Sequence, residues 1–566
     1  MAYFLKIQNQ ANNTYLAIYE SFYSPDSKGT KHRCFKSLGS VTKLIRDGID
    51  DPIAYYKAEV ERMNAERKAE KEVQKISAVS PEKNLGYFPL KAIMEKLDIR
   101  RFVDLYKITT SYDFDLYDVL SSLIYARAVS PCSKHRTYNE VIPSLFEPHD
   151  FSYDQLLEGL SFFGNDYEKF VEMFNMQVKK YYPINTDITY FDCTNFYFEI
   201  EQEDGIKKYG KSKEHRPNPI VQMGLFTDGD GIPLAFSLFP GNQNEQKSLK
   251  PLEQKILQQF GCDKFIFCSD AGLASENNRV YNHMGKRAFI VTQSIKKLPK
   301  EEREWALDRK GFRRISDNKP VDITKLSDAD SEGLFYKDEP YTTKRLYQRL
   351  IITYSPKYAA YQKTIRDRQV ARADEMVQSG KLKKQRRNPN DPARFVGKKA
   401  ATDAGEVASI HYFLDEDKVA EEEKYDGLYA VCTDLLDDDV SDILKVSEGR
   451  WQIEDCFRTM KTDFLARPVG VRREDRINAH FLTCFLALLI FKLLTKMLGN
   501  KHTCMTLLDK LHEMNFADIE EQGYMPLYKR DAITDSLHEI CGFRSDFQFI
   551  TKRKMKEIQK KSKGRS

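Results

Sequence analysis

Residues 3 to 39 alternate apolar and polar positions with a period of two, in FLKIQNQ, TYLAIYESFY and HRCFKSLG, and turn residues separate the runs at Asn12-Asn13 and Ser24-Pro25-Asp26. This pattern predicts a small three-stranded sheet. Residues 51 to 76 are helical in pattern and heavily charged, with few apolar positions late in the run, which predicts an exposed arm or connector. From Leu85 to about Tyr182 the period lengthens to that of helices, in LKAIMEKLDI, FDLYDVLSSLIYARAV and YEKFVEMFNMQVKKYY, and predicts an all-α unit. At Ile188 short apolar runs replace it: ITYF, PIVQMGLFTD and IPLAFSLFPG, then a helical stretch from Gln246 to Phe260, then KFIFCSD. Three strands in succession followed by helix and strand predict an α/β domain with a mixed sheet. After the strand AFIVTQS (288 to 294) comes a polar stretch to about Asp426, and then the strand GLYAVCTDL leads towards the helical segment RWQIEDCFRTMK, Arg450 to Lys461. The apolar run from Phe481 to Phe491 is shorter than the roughly 18 to 20 residues of a membrane span and predicts a buried helix.

Composition narrows the class. The chain has 566 residues, 41% hydrophobic and 31% charged, enough to bury large cores in about three or four domains. Its 89 basic and 84 acidic residues leave a net charge of +5, too mild at this size to point to nucleic acid by itself. Clustering adds more: KLKKQRRNPNDPARFVGKK (381 to 399) reads as a mobile basic loop, and TKRKMKEIQKKSKGRS at the C-terminus as a frayed end that touches DNA loosely. Ten cysteines are scattered without a CxxC pair, and the start MAYFLKIQNQ has no signal-peptide core, so reduced thiols and a cytoplasmic location are expected.

On a helix, Arg450, Glu454, Arg458 and Lys461 fall along one stripe, with Ile453, Phe457 and Met460 on the neighbouring apolar stripe. One acidic residue among three cations can be a solvated face of ion pairs, or a place where a carboxylate, a metal and phosphates meet. Two aspartates bear on the choice. Asp192 directly follows the strand ITYF and Asp270 directly ends FIFCS, the positions at which α/β sheets place sites, although either could be a turn or capping residue. Three carboxylates from two strand ends and a later helix can hold two divalent cations about 4 Å apart for in-line attack on a phosphodiester, one activating water or a 3′-hydroxyl and the other stabilising the leaving oxygen. Mg²⁺ suits such hard oxygen ligands, with Mn²⁺ as a substitute, and no His/Cys cluster argues for zinc. Arg450 and Lys461 would then face the phosphate backbone. His215 and Arg216 are further candidates for the substrate strand or for a turn surface. Trp451 is expected to pack the site helix, and Cys193, Cys268 and Cys456 to be small core residues.

Taken together these residues resemble a DDE-class transposase of bacterial insertion sequences, of the insertion-sequence-4-like group. That group's signature, Y-x2-R-x3-E-x6-K, is met by Arg450, Glu454 and Lys461, with Ser447 in the tyrosine position. The likeness extends through YFDCTNFYF around Asp192, the block from Gly210 to Asn242, CSDAGLASENN around Asp270, and the block from Ile453 to Phe481, about 300 residues in order. It implies an α/β RNase H-like catalytic core interrupted by an insertion domain, after a small β and an all-α N-terminal region. The corresponding segments are 1–80, 81–182, 183–294, 295–426, 427–500 and 501–566. It also implies Asp192, Asp270 and Glu454 as catalytic metal ligands for two Mg²⁺ ions, and Arg450, Lys461, Arg458, His215 and Arg216 as contacts to DNA. The implied activity is cut-and-paste transposition: binding of terminal inverted repeats, strand cleavage and 3′-end transfer into double-stranded target DNA by a homodimer. A nuclease of the same fold without strand transfer, or a DNA-binding descendant without catalysis, remains open at this point.

Overall fold

The computed structural model describes residues 2–10, 13–24, 29–72, 82–245, 249–260, 264–379, 391–401, 409–519 and 522–563. They form two compact units, Met1–Pro81 and Glu82–Ser566. In the first, β1 (Tyr3–Gln10), β2 (Asn13–Ser24) and β3 (Gly29–Ser40) make an antiparallel meander, as the alternation predicts. Leu16 and Ile18 are buried in it. The charged helix Pro52–Glu72 is anchored to this sheet and not a free arm: the Asn64 side chain accepts from the Tyr3 amide (2.8 Å) and donates to the Tyr3 carbonyl (2.9 Å). Buried Glu20 joins β2 to its surroundings through Arg33 and Arg67, at 2.7 Å each, and these two guanidiniums hold its carboxyl below the usual range.

The second unit is a mixed α/β fold around one nine-stranded sheet. After the short strand β4 (Glu82–Asn84) and a helical stretch, the strands in chain order are β5 (Ile188–Tyr197), β6 (Ile220–Asp228), β7 (Pro233–Pro240), β8 (Lys264–Ser269) and β9 (Lys286–Thr292). β10 (Arg313–Arg314), β11 (Phe335–Thr342), β12 (Tyr347–Tyr354) and, beyond the separate pair β13 (Val396–Ala401) and β14 (Ser409–Leu414), β15 (Leu428–Thr433) complete it. The order across the sheet is β10-β11-β12-β15-β9-β8-β5-β6-β7. β5 runs parallel to β8 and β8 to β9, while every other neighbouring pair is antiparallel. Every residue of β6 is buried, so it reads as a continuous apolar run because both its faces are covered. Strands from 295–426, expected in an inserted domain, extend the same sheet: β12 pairs with β15, which pairs with β9. Residues 381–390 of the basic loop lie outside the described residues; 391–399 form a short helical turn and the start of β13.

The helix Glu474–Met497 runs through the core. Among the described residues it alone is long and apolar enough to cross a membrane, but 89% of its apolar window is buried inside the protein. The helices Phe88–Lys96, Leu116–Val129 and Tyr153–Asn165 pack on it. Gly164 permits the closest approach, because a Cβ there would run into the Asp475 carbonyl oxygen. β4 pairs with β16 (Asn515–Ile519), next to β17 (Gly523–Pro526) and β18 (Ile550–Thr551), so the helical segment and the C-terminal segment share one small sheet. The tail is not frayed over its described part: Lys552–Ser562 is a helix capped by Thr551 that buries Met555 and Ile558 and turns its basic side chains outward.

Candidate functional site

The parallel ladder between β5 and β8 pairs Ile188 with Ile266, Thr189 with Phe267 and Tyr190 with Cys268. Continuing that register by two residues sets Asp192 beside Asp270, both on the face that carries Tyr190 and Cys268, since alternate residues of a strand share a face. Asp192 is not at the end of its strand, which runs on to Tyr197; it pairs with Leu225 of β6 and lies only beyond the end of the ladder with β8. Asp270 does follow the last residue of β8, where its Oδ1 accepts from the amides of Gly272 (3.0 Å) and Leu273 (3.1 Å). These bonds are those of a turn-forming aspartate, and they also fix the carboxylate. Asp192 Oδ1 accepts from the Cys193 amide at 2.7 Å. Burial pushes the Asp192 carboxyl up to about 6 and the nearby Asp270 charge adds to the rise, against the opposing pull of Lys213 and Arg450.

Two successive helices cover this face. The first, Val440–Glu448, ends at Gly449, and the second, Trp451–Arg458, begins after Arg450. The Tyr190 hydroxyl donates to the Val446 carbonyl at 3.0 Å, and a Cβ on Gly449 would collide with that hydroxyl, so the glycine lets the helix pair seat on β5. Ser447 is in the last turn of the first helix. In the second, Ile453, Cys456 and Phe457 face the core as expected, whereas Trp451 is 61% exposed. Its predicted packing role is therefore corrected: the apolar stripe passes through Ile453 and leaves Trp451 on the solvent side. Arg450 Nη2 lies 3.2 Å from Glu454 Oε1, one turn apart, and its charge also reaches Asp192. Among the described residues no three histidine, cysteine or acidic side chains stand close enough to hold a metal ion. The two aspartates are together, and Glu454, half-exposed, is engaged by Arg450.

The stripe expected from Arg450 to Lys461 is broken. The helix widens into a π-type turn over Thr459–Asp463, and the additional residue per turn rotates the positions beyond Arg458 away from the stripe. Lys461 consequently turns inward, donating to Thr194 Oγ1 of β5 at 2.5 Å and standing 3.9 Å from Glu214. Burial and the like charge of Lys213 lower its ammonium to about 8. Arg458 instead pairs with Asp455, which Lys492 also meets at 2.7 Å, and takes no part in the aspartate cluster. His215 and Arg216 are exposed on the loop between β5 and β6. His215 has the left-handed φ of 57°, and Arg216 stacks 4.2 Å from the Tyr197 ring centre. The residue of that loop nearest the chemistry is Lys213, whose ammonium donates to the Cys193 carbonyl and lies 3.7 Å from Glu245. Sequence reasoning passed over it; the signal was its place two residues before His215 in a loop that must return along β5. Cys193, Cys268 and Cys456 are buried, and burial raises the thiols of Cys268 and Cys456, the latter to about 12, so they are core residues and not nucleophiles.

Two half-buried carboxylates held by backbone amides repel each other, a hard-oxygen donor pair whose charge a divalent cation would neutralise. The surrounding cations, Lys213, Arg450 and Lys461, are of the kind that orient phosphate oxygens. Residues 185–490 match the family described as the transposase DDE domain. No curated protein matches the chain. Among solved structures it is similar to the piggyBac transposase in its synaptic complex with hairpin DNA, at 9% identity and a TM-score of 0.38, over 86% of this chain and 89% of that one.

Proposed function

The chain belongs to the transposase DDE-domain family, and on that premise we propose that it is a cut-and-paste DNA transposase with Asp192, Asp270 and Glu454 as its catalytic carboxylates. In this reading it binds the terminal inverted repeats of an insertion sequence, cleaves strands at the element's ends and joins the freed 3′-hydroxyls to double-stranded target DNA. The observation that carries the reading is the juxtaposition of Asp192 and Asp270 on adjacent parallel strands, under the helix pair that bears Arg450 and Glu454. An RNase H-like core fits the strand succession β7-β6-β5-β8-β9, three antiparallel strands followed by two parallel ones.

The two aspartates fit Mg²⁺ or Mn²⁺ by donor chemistry, and Glu454 completes the set once Arg450 releases it. Two such ions, when bound, supply activation of the attacking hydroxyl and stabilisation of the leaving oxygen. The protein's own part is positional. Backbone amides of Cys193, Gly272 and Leu273 donate to the two carboxylates and fix their orientation. Arg450 is poised to exchange the Glu454 carboxylate for a DNA phosphate, a bidentate contact that would free the third carboxylate when substrate arrives. Lys461, whose ammonium donates to Thr194 Oγ1, supplies a point charge at the rim, and in this reading Arg458, His215 and Arg216 contact phosphates further along the strand. Because both ends must be held for joining, the working form is a homodimer on DNA.

The test is strand cleavage on a duplex carrying the element's end with Mg²⁺ present. Asp192→Asn, Asp270→Asn and Glu454→Gln should each lower cleavage by about 10³-fold or more while DNA binding persists. Transfer of the cleaved 3′-end to a second duplex separates a transposase from a nuclease. Full cleavage by Asp192→Asn would remove the carboxylate assignment.

A further inference from the structure

A cavity of about 680 Å³ adjoins the candidate site through one carboxylate: Glu214, which faces Lys461, also pairs with Arg467 of the cavity lining. Six lysines and arginines and two histidines line the cavity, against one acidic residue, Glu199. Carboxylates reach some of these cations, Glu214 at Arg467 and Asp475 at Arg473. Among the described residues the deepest ones have none. Arg127 is 3% exposed; its Nη1 donates to the Phe464 carbonyl at 3.0 Å, and its Nε is buried without a hydrogen-bond partner. Lys134 is 7% exposed and lines the cavity with no hydrogen bond or ion pair at its ammonium among the described residues. His480, 5% exposed, uses Nε2 on the Ala466 carbonyl at 3.0 Å. Among the described residues the Arg476 side chain makes one hydrogen bond, from Nε to Ser161 Oγ at 3.4 Å, while its amide donates to Asp475 Oδ1.

Burying cations side by side without a counter-charge is unfavourable, and the strain registers in the groups themselves. Burial and then the Arg127 charge lower Lys134 to about 7, and burial with Arg127 and Lys134 lowers His480 well below its usual range. An anion bound in the cavity would supply the counter-charge that the described residues do not. A guanidinium fork beside a point-charge ammonium is the donor set suited to phosphate, and the apolar wall of Tyr153, Leu157 and Val471 leaves room for more than an ion. We propose that this cavity binds a phosphate group through Arg127, Lys134 and Arg476, and that the phosphate belongs to the DNA strand lying at the neighbouring carboxylates. The choice of DNA as its source rests on the function proposed above; phosphate recognition does not.

The experiment uses the full chain and inorganic phosphate, exchanged against chloride at constant ionic strength, with the thermal midpoint as readout. Wild type should show a saturable rise. Lys134→Met, which removes an unpaired buried charge, should stay folded with an unchanged or higher midpoint in chloride and bind phosphate at least 10-fold more weakly. Arg476→Gln, nearer the surface, should weaken it as well and serves if Lys134→Met does not fold. Asp192→Asn should keep the full phosphate-induced rise whatever happens to cleavage, so the pocket and the catalytic reading fail separately. A wild type with no saturable rise, or variants that bind phosphate as wild type does, would overturn the pocket. A second arm measures affinity for duplex DNA against salt: a slope smaller by about one in Lys134→Met assigns the phosphate to DNA. An unchanged slope with phosphate binding lost keeps the pocket but overturns DNA as its source, leaving a free phosphate as the ligand.

Discussion

Asp192 resists ionisation for two reasons, its burial and the neighbouring Asp270, and Lys213 and Arg450 only partly offset them. Glu253 is an instructive contrast, being buried outside the site. It is fully covered, meets Asn282 at 3.2 Å and Arg287 at 3.8 Å, and burial raises its carboxyl to about 7. A raised carboxyl means that the folded chain holds its proton more tightly than the unfolded one. The penalty is thus absent at pH 4, grows as pH rises from the unfolded value of 4.5 towards 7, and is complete above it. Glu253→Gln should therefore be more stable than wild type at pH 8, by on the order of 2–3 kcal/mol, with the difference vanishing near pH 4.5. Denaturant melts across that range check it, and a constant difference would show that the carboxyl titrates normally. At this scale the sequence made Asp192, Asp270 and Glu454 conspicuous through their places relative to strands and helix. Lys213 and the isolation of Arg458 were hidden, because each depends on where a loop returns or a helix widens.

At the scale of elements, the helix pair over β5 is shaped by two local devices, the glycine break at Gly449 and the π-type turn after Arg458. The first lets the helix pair seat on β5, with the Arg450 charge reaching Asp192, and the second turns Lys461 to Thr194. Periodicity revealed β5, β6, β7 and β8 and the main helices, since each buries a face with its own repeat. It could not reveal that β11 and β12 join the central sheet, because that pairing runs through β15, some 75 residues further on. Nor could it show the widened turn, which leaves no period. Packing between elements is least forgiving at Gly164, against the backbone of the helix Glu474–Met497. Gly164→Ala should destabilise the protein by about 3 kcal/mol or more, because a backbone oxygen cannot move aside as a side chain can. Chemical denaturation measures it, and a loss under 1 kcal/mol would mean the helices separate easily.

At the scale of the molecule, the sequence suggests several serial domains, whereas Glu82–Ser566 forms one compact unit. The reason is the helix Glu474–Met497: helices from 88 to 165 pack on it, and β4 pairs with β16 near the other end of the chain. A fragment of residues 82–182 should accordingly lack a cooperative melt, while 82–566 should melt in one cooperative transition. Calorimetry on the fragments distinguishes these outcomes, and a folded 82–182 would contradict the shared core. The central claim, that Asp192 and Asp270 with Glu454 form the metal site of a DDE transposase, is tested most directly by counting Mn²⁺ bound to the full chain on an element-end duplex, by electron paramagnetic resonance. Wild type should bind two ions per protomer, and the Asp192→Asn, Asp270→Asn double variant should lose them with DNA still bound; equal stoichiometry in the two proteins would contradict the assignment.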